Sequence, residues 1–445
     1  MSSRRTFIRN VSAAAAGAGF ASFPFQEAVS SPAPRTSAAD TINVALIGCN
    51  GMGWANLSSM MRNDNVQLAA ICDIDNSVIE RRLADAEKNK WKKPAVYTDY
   101  RRLLENKDID AVIIGTPDHW HCLQMVHACE AGKDVYVEKP IANSIEECNV
   151  MVAAKNRHKR IVQVGQWQRS DPHWISALEY LKSGKLGKIR MARTWACVGY
   201  GRNFKPKANT AVPAGVNYDM WLGPAPERPF NPYRFHGSFR YFWDYAGGLM
   251  TDWGVHMLDM VLAGMDAVTP LRVTAMGGKR GYPDSAIETP DTLQSLFEFG
   301  DFSMLWEQTM GAAQDPFNRA PGSPGVAFTG NNGTLVIDRD SWDVYPEMEN
   351  DKYLLEAVPR RHARINGLDQ HTKNFVECVR SRNQPNCTIE MGRNAAITAH
   401  LGNISYRLQR QVTWNDGQGS ISGDKEASEL MLPKYRSPWQ LPAYK

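Results

Sequence analysis

Ile42-Asn43-Val44-Ala45-Leu46-Ile47-Gly48-Cys49-Asn50-Gly51-Met52-Gly53 decides the fold of this 445-residue chain. An apolar, β-branched run reads as a buried strand, glycines follow it directly, and Trp54 to Arg62 has helical character. Strand, glycine turn and helix in that order make a Rossmann unit, where a helix amino terminus and bare backbone amides receive a pyrophosphate. Asn50 stands where the second glycine of the usual pattern would be, with Gly51 beside it. Asn tolerates positive φ better than most residues, so the turn is expected to survive. Val66 to Cys72 then reads as a second strand ending at Asp73, 20 residues beyond Gly53. A carboxylate there should meet the adenosine ribose hydroxyls and favour NAD over NADP. Gly48, Asn50, Gly51, Met52, Gly53 and Asp73 are therefore the expected cofactor contacts.

Two further strands end in polar turns. Ala111 to Ile114 runs into Gly115-Thr116-Pro117-Asp118-His119-Trp120-His121, and Asp134 to Val137 runs into Glu138-Lys139-Pro140. Turns at the carboxyl ends of parallel strands line the crevice where cofactor and substrate meet, which adds Thr116, Pro117, His119, His121, Glu138 and Lys139 to the expected cofactor set. Lys139 can hydrogen-bond a substrate hydroxyl and hold a proton-transfer network, and Glu138 can orient it or touch the nicotinamide ribose. Ile161 to Gln166 reads as the last strand of this domain. Gln166 is expected at the cofactor, with Trp167 and Arg169 pointing at the substrate. His119, His121 and His127 lack companion thiolates or carboxylates at ligand spacing, so no metal is expected.

Beyond a helix from Pro172 to Ser183, apolar alternation recurs at 189–198, 271–276, 293–299, 302–308, 326–328 and 334–337. Turn signals at Phe299-Gly300-Asp301 and Gly330-Asn331-Asn332-Gly333 join several of these runs, which is the pattern of a mostly antiparallel sheet. Among them lies Gly247-Gly248-Leu249-Met250-Thr251-Asp252-Trp253-Gly254-Val255-His256-Met257-Leu258-Asp259. A helix there sets Asp252 and His256 on one face, where a carboxylate can orient an imidazole and raise its pKa for acid/base work on a hydroxyl. The other reading is a structural pair capping a buried helix.

Residues 203–245 are dense in aromatics, Arg and Pro. Aromatic faces stack on sugar rings while Arg and His donate to their hydroxyls, so Tyr233, Arg234, His236 and Trp243 join Trp167 and Arg169 as candidate carbohydrate contacts. An aromatic-stapled loop packing on the sheet or on a second subunit is equally compatible. The segments 368–382 and 391–410 read as amphipathic closing helices, in which His371, Glu377 and His400 are packing or surface residues.

Ser3-Arg4-Arg5-Thr6-Phe7-Ile8-Arg9, a short Ala/Gly-rich apolar run and Ser37-Ala38-Ala39 resemble a twin-arginine export signal with a small-residue cleavage site. The run is too short and weakly apolar for a stable membrane anchor. Export by this route implies folding in the cytoplasm around a cofactor, then a periplasmic location. Net charge is +4, yet Arg4, Arg5, Arg9 and Arg35 against Glu27 fall in residues 1–39, which leaves 47 basic and 46 acidic residues in the remainder. That balance argues against nucleic acid or an anionic membrane as partner. The eight cysteines show no paired short spacing and are expected as free thiols. The expected domains are 1–39 signal and linker, 40–168 Rossmann, 169–412 substrate and oligomerisation, and 413–445 a carboxyl-terminal extension.

The glycine turn, Asp73, Glu138-Lys139-Pro140, Trp221-Leu222-Gly223-Pro224 and the segment 247–259 occur in the order seen in the Gfo/Idh/MocA family, which the chain resembles over roughly residues 41–412. The resemblance implies an amino-terminal Rossmann domain and a carboxyl-terminal α/β domain with an open, mostly antiparallel sheet. That sheet is often used for oligomerisation, so a homo-oligomer, dimer or tetramer, is expected. The resemblance also carries catalytic roles onto Lys139, Asp252 and His256. The leading expectation is hydride transfer between a sugar, glycoside or polyol hydroxyl and tightly bound NAD, with His256 taking the proton, Lys139 supporting the oxyanion and Asp252 orienting the imidazole. A redox-neutral, NAD-dependent glycoside hydrolase working through transient C3 oxidation is the alternative. A sugar-binding protein that keeps a nucleotide as structural ligand is the third.

Overall fold

Six parallel strands form the first sheet of the computed structural model, which describes residues 41–199, 204–319 and 321–444. They are β1 (Ile42–Ile47), β2 (Val66–Cys72), β3 (Ala95–Tyr97), β4 (Ala111–Ile114), β5 (Asp134–Val137) and β6 (Val162–Val164), in the order β3-β2-β1-β4-β5-β6. This is a doubly wound Rossmann sheet whose chain direction of winding reverses between β1 and β4, so a crevice opens at the carboxyl ends of those two strands. Both faces are covered, which is why β4, β5 and β6 are buried throughout and read as continuous apolar runs. The expected export signal in residues 1–39 lies outside the described residues.

The second sheet has ten strands. β7 (Met191–Cys197), β8 (Arg272–Gly278), β9 (Thr292–Glu298), β10 (Ser303–Thr309), β11 (Gly325–Thr329), β12 (Gly333–Asp338) and β13 (Ser341–Pro346) form its body. A small hairpin of β14 (Met348–Glu349) and β15 (Lys352–Tyr353) intervenes before the edge strand β16 (Val358–His362), and β17 (Val412–Asn415) with β18 (Ser420–Ile421) closes the other edge. The order is β16-β13-β12-β11-β7-β10-β9-β8-β17-β18, antiparallel except for the central β7/β10 pair. Sequence alternation locates β7 to β12 within a residue or two. It misses β13 and β16; the latter reads Val-Pro-Arg-Arg-His, a basic, proline-bearing edge with no apolar period. The 412/413 boundary expected from sequence falls inside β17.

Inward side chains of β9 and β10, among them Leu293, Phe297, Met304 and Trp306, pack beneath the helices Val255–Met265 and Ile389–Leu408. The outer face leaves Met191, Met276 and Leu296 exposed. Phe375, Ile389 and Ala396, from the closing helices, enter the Rossmann cores. The two sheets are thereby joined into one body, with the helix of Asp252 and His256 brought to the crevice. All eight cysteines are buried and unpaired. Among the described residues no helix is long and apolar enough to cross a membrane.

Candidate active site

The glycine turn is built by contact. A Cβ on Gly53 would lie 2.1 Å from Gly48 O, and one on Gly115 would lie 2.5 Å from Gly53 Cα, so strand, helix and neighbouring strand touch backbone to backbone. Positive φ falls at Gly48 (+83°) and Gly51 (+45°), whereas Asn50 is extended at φ −96°. Positive φ at Asn50 is therefore not what preserves the turn; the adjacent glycine carries it, and Asn50 serves as the cap residue before a helix that opens at Gly51. Gly48, Asn50, Gly51 and Met52 line a cavity in the crevice. A Cβ on Gly51 would meet nothing within 4 Å, leaving room for a phosphate at the helix terminus.

Asp73 sits at one end of this cavity with its carboxylate fixed, Oδ2 accepting from Cys49 N at 2.7 Å and Oδ1 from Asp75 N at 3.2 Å. Thr116 and Pro117 line the cavity too, Thr116 Oγ1 donating to Gln124 at 2.7 Å. Residues 216–240 form a roof over the crevice: Met220, Trp221, His236, Phe239 and Arg240 line the opposite wall, and His236 Nε2 meets Asp75 Oδ2 at 3.0 Å. These features fit a dinucleotide, with a glycine cradle for the pyrophosphate, a carboxylate for the ribose diol and Glu138 and Lys139 at the far end.

There, Lys139 Nζ donates to Asp252 Oδ1 at 2.7 Å and to the Asp252 carbonyl at 2.9 Å, and Arg240 Nε reaches the same Oδ1 at 3.2 Å. Asp252 belongs to a π-turn, Met250–Gly254, that precedes the helix Val255–Met265. Thr251 Oγ1 accepts from Gly247 N at 3.0 Å, and Asn403 Nδ2 donates to Gly247 O at 2.8 Å, which leaves no space for side chains at the glycine pair. Burial opposes ionisation of Asp252, but the Lys139 and Arg240 charges override it and hold the carboxyl well below the usual carboxylate range.

His256 departs from expectation. Its Nδ1 is buried without a hydrogen-bond partner, because the Asp252 carboxylate is turned to Lys139 and Arg240. Burial first, then the charges of Lys139 and Arg339, push the imidazole well below its ordinary value, although Asp252 works the other way. The four-residue spacing thus gives proximity without the orienting bond, since the π-turn rotates Asp252 away from a regular helical row. His256 is a neutral imidazole at physiological pH.

Glu138 is buried, with Oε1 accepting from Asn56 Nδ2 at 2.8 Å and Oε2 from Lys139 N at 3.1 Å. Its carboxylate thus holds the backbone of the lysine turn. His121 lines the cavity and bridges Thr116 O and Pro140 O, both at 2.7 Å, tying two strand-end turns together. Several expected contacts lie elsewhere. His119 turns away from the cavity to the Trp221 carbonyl at 3.0 Å, packed against Trp221 and Tyr245. Gln166 Nε2 donates to Val255 O at 3.0 Å and its Oε1 accepts from the Cys387 thiol, outside the cavity lining. Arg169 is committed to Asp259 by two bonds, 2.7 and 2.8 Å, a buried pair that anchors the helix after His256.

Among the carbohydrate candidates, His236 lines the cavity, but at its adenosine end. Tyr233 packs with Phe204 beneath Lys207, Arg234 donates to Pro229 O, and Trp243 stands under Arg407 with its Nε1 on Glu288 O. Tyr233 belongs to the aromatic cluster of this segment, whereas Trp243 stands outside it and lines a separate cavity with Asn143, Arg407 and Tyr435. Trp167 stays near the reaction centre: Arg339 lies 4.7 Å from its ring and 4.4 Å from that of Trp253, whose ring is 6.0 Å from His256. Sequence reasoning missed Arg240 and Asp118. Burial pushes Asp118 up to about 8 beside Arg240 and Lys139. Arg240 stood in the aromatic stretch and Asp118 in the strand-end turn, yet neither carried a spacing that would single it out.

A nucleotide crevice whose far end is lined by Lys139, backed by the Asp252 carboxylate with the buried His256 behind, fits a nicotinamide-dependent oxidoreductase. The chain belongs to the Gfo/Idh/MocA oxidoreductase family: residues 42–166 match its NAD-binding Rossmann fold and residues 190–300 its C-terminal alpha/beta domain. A glycosyl hydrolase family 109 protein of Shewanella baltica is 31% identical over 201 residues, 42% of this chain and 44% of that protein. An alpha-N-acetylgalactosaminidase of Shewanella oneidensis is 30% identical over the same shares. The chain thus spans less than half the length of these curated relatives. Aldose-aldose oxidoreductase from Caulobacter crescentus, solved with glycerol, has the same fold with a TM-score of 0.64 at 19% identity, over 84% of this chain and 100% of that one. Levoglucosan dehydrogenase, solved with NADH and levoglucosan, gives 0.65 at 18% identity over 84% and 99%.

Proposed function

We propose that the protein moves hydride between a sugar, glycoside or polyol hydroxyl and a tightly bound NAD. The carrying observation is the Lys139–Asp252 pair, 2.7 Å, at the cavity end next to His256. NAD supplies the hydride acceptor. Neutral His256 takes the hydroxyl proton, and the Lys139 ammonium, held in place by Asp252, stabilises the oxygen as it gains charge. Asp252 acts through Lys139 and not by orienting the imidazole. Trp167 and Trp253 offer aromatic surface beside His256 for a sugar ring.

The twin-arginine pattern supports export and a periplasmic location, where free NAD is not recycled, so a retained cofactor closing its own cycle suits the site. Met191, Met276 and Leu296 on the open sheet face support a homo-oligomer.

One observation favours a second reading. Relatives at 30–31% identity carry the names glycosyl hydrolase family 109 protein and alpha-N-acetylgalactosaminidase. In that chemistry the sugar is oxidised at C3, the C2 proton is lost, the aglycone leaves by elimination, and water and the same hydride are returned. No net acceptor is needed, which also suits export. Product analysis on matched free sugars and aryl glycosides separates the two. Oxidised sugar together with reduced partner supports the oxidoreductase, and free sugar plus aglycone supports the hydrolase.

A further inference from the structure

Past β18 the chain leaves the ten-stranded sheet, forms the short helix Lys425–Glu429 and returns along the Rossmann domain as an extended strap. Tyr435 Oη donates to Glu147 Oε1 at 2.6 Å, which fixes where the strap begins. Arg436 then reaches the roof of the nucleotide cavity. Its Nη2 donates to Asp219 Oδ1 at 2.7 Å and to Asp219 O at 2.8 Å, Nε to Gly223 O at 2.7 Å, and its backbone N to Pro224 O at 2.9 Å. One residue therefore holds both ends of the roof helix Tyr218–Leu222. Three residues on, Trp439 packs edge-on against Trp120 with ring centroids 4.9 Å apart, under the Arg101 guanidinium at 5.3 Å.

Both contacts converge on the cavity. Met220 and Trp221, carried by the clasped helix, line it, and so does Trp120. Trp120 Nε1 joins the two by donating to the Met220 and Trp221 carbonyls, each at 3.1 Å. Gly223 has φ +50°, and a Cβ there would stand 2.0 Å from Trp120 Cζ2, so roof and indole close with no room between them. Lifting the roof helix to widen the cavity would break its bonds to Arg436 and to the Trp120 indole that packs on Trp439.

We propose that Arg436 and Trp439 are positioning residues that hold the roof closed over the bound nucleotide and set how slowly NAD leaves. The inference rests on reading the cavity as the NAD site. It assigns the carboxyl-terminal strap a role in cofactor retention, separate from the acid/base groups at the other end of the cavity.

The test follows displacement of bound nucleotide from the full chain by 1,N6-etheno-NAD, read by its fluorescence. Arg436→Ala and Trp439→Ala are expected to release nucleotide at least about tenfold faster than wild type, since each loses several contacts of ordinary strength. Trp439→Phe restores much of the slow release. Tyr444→Phe, which loses only the far strap contacts to Glu130 and His158, releases at the wild-type rate. Where an alanine variant fails to fold, Arg436→Lys and Trp439→Phe supply the graded series. Release from Arg436→Ala and Trp439→Ala, or from Arg436→Lys where alanine fails to fold, within twofold of wild type would overturn the inference alone. So would equal acceleration by Tyr444→Phe. Wild-type protein that binds no etheno-NAD would overturn the reading of the cavity and this inference with it.

Discussion

Lys139 Nζ meets both the Oδ1 and the main-chain carbonyl of Asp252, 2.7 and 2.9 Å away, across 113 residues of sequence and from one domain to the other. The pair closes the crevice between the Rossmann turn Glu138-Lys139-Pro140 and the π-turn before His256. His256 beside it is kept neutral first by burial and then by the charges of Lys139 and Arg339, against the opposing pull of Asp252.

Lys139→Met is expected to lower turnover by about 10²- to 10⁴-fold, the usual range for losing a positioned proton-transfer or charge-stabilising group. Bound nucleotide, measured after denaturing release, stays at the wild-type level. Loss of nucleotide in proportion to activity would instead assign Lys139 to binding.

Asp252→Asn leaves Lys139 and Arg240 without their shared anion, both side chains being mostly shielded from water. The expected cost is at or below the lower end of the about 3–5 kcal/mol range for breaking a buried pair. The pH dependence has a definite sign. A carboxyl held low in the folded state contributes stability above its unfolded value, and that contribution disappears as pH falls through the folded value. Wild type should therefore lose stability on acidification below about pH 4 more steeply than Asp252→Asn. Parallel acid-unfolding curves would contradict the pairing.

Because His256 is held well below its ordinary value, kcat/KM should not fall on acidification through the region near pH 6.5 where an unperturbed histidine titrates. His256→Gln should reduce kcat by orders of magnitude without creating such a step. A wild-type profile that drops near pH 6.5 would restore the carboxylate-oriented imidazole expected from spacing.

Asp73→Ala removes the carboxylate fixed by Cys49 N and Asp75 N at the adenosine end. Preference for NAD over NADP, measured as the ratio of dissociation constants, should fall by about 10- to 100-fold, the worth of a hydrogen bond to a charged group together with relief of repulsion toward a 2′-phosphate. An unchanged ratio would mean that Asp73 serves only the turn.

The Rossmann half was legible because its buried parallel strands write themselves as apolar runs, and β1, β2, β4 and β5 fall where the sequence puts them. Lys139, Glu138 and Asp73 were legible for the same reason: strand ends deliver their next residues to a known crevice. Gln166 and Arg169 follow the same logic and fail it, since nothing local reveals that Arg169 will find Asp259 ninety residues on. Asp252 and His256 do come together beside Lys139, but a helical spacing cannot announce a π-turn or the cation that claims the carboxylate. Arg240 was hidden among residues that looked like a sugar pocket and became a roof.

The most direct measurement is the near-ultraviolet absorbance of the protein purified without added nucleotide, before and after mixing with a panel of monosaccharides and glycosides, with products analysed in the same tubes. Stoichiometric reduced nicotinamide should persist until a second, oxidising sugar discharges it, and should form far more slowly in Lys139→Met. Aglycone release with no lasting reduction in wild type would contradict net hydride transfer and make the enzyme a redox-neutral glycosidase.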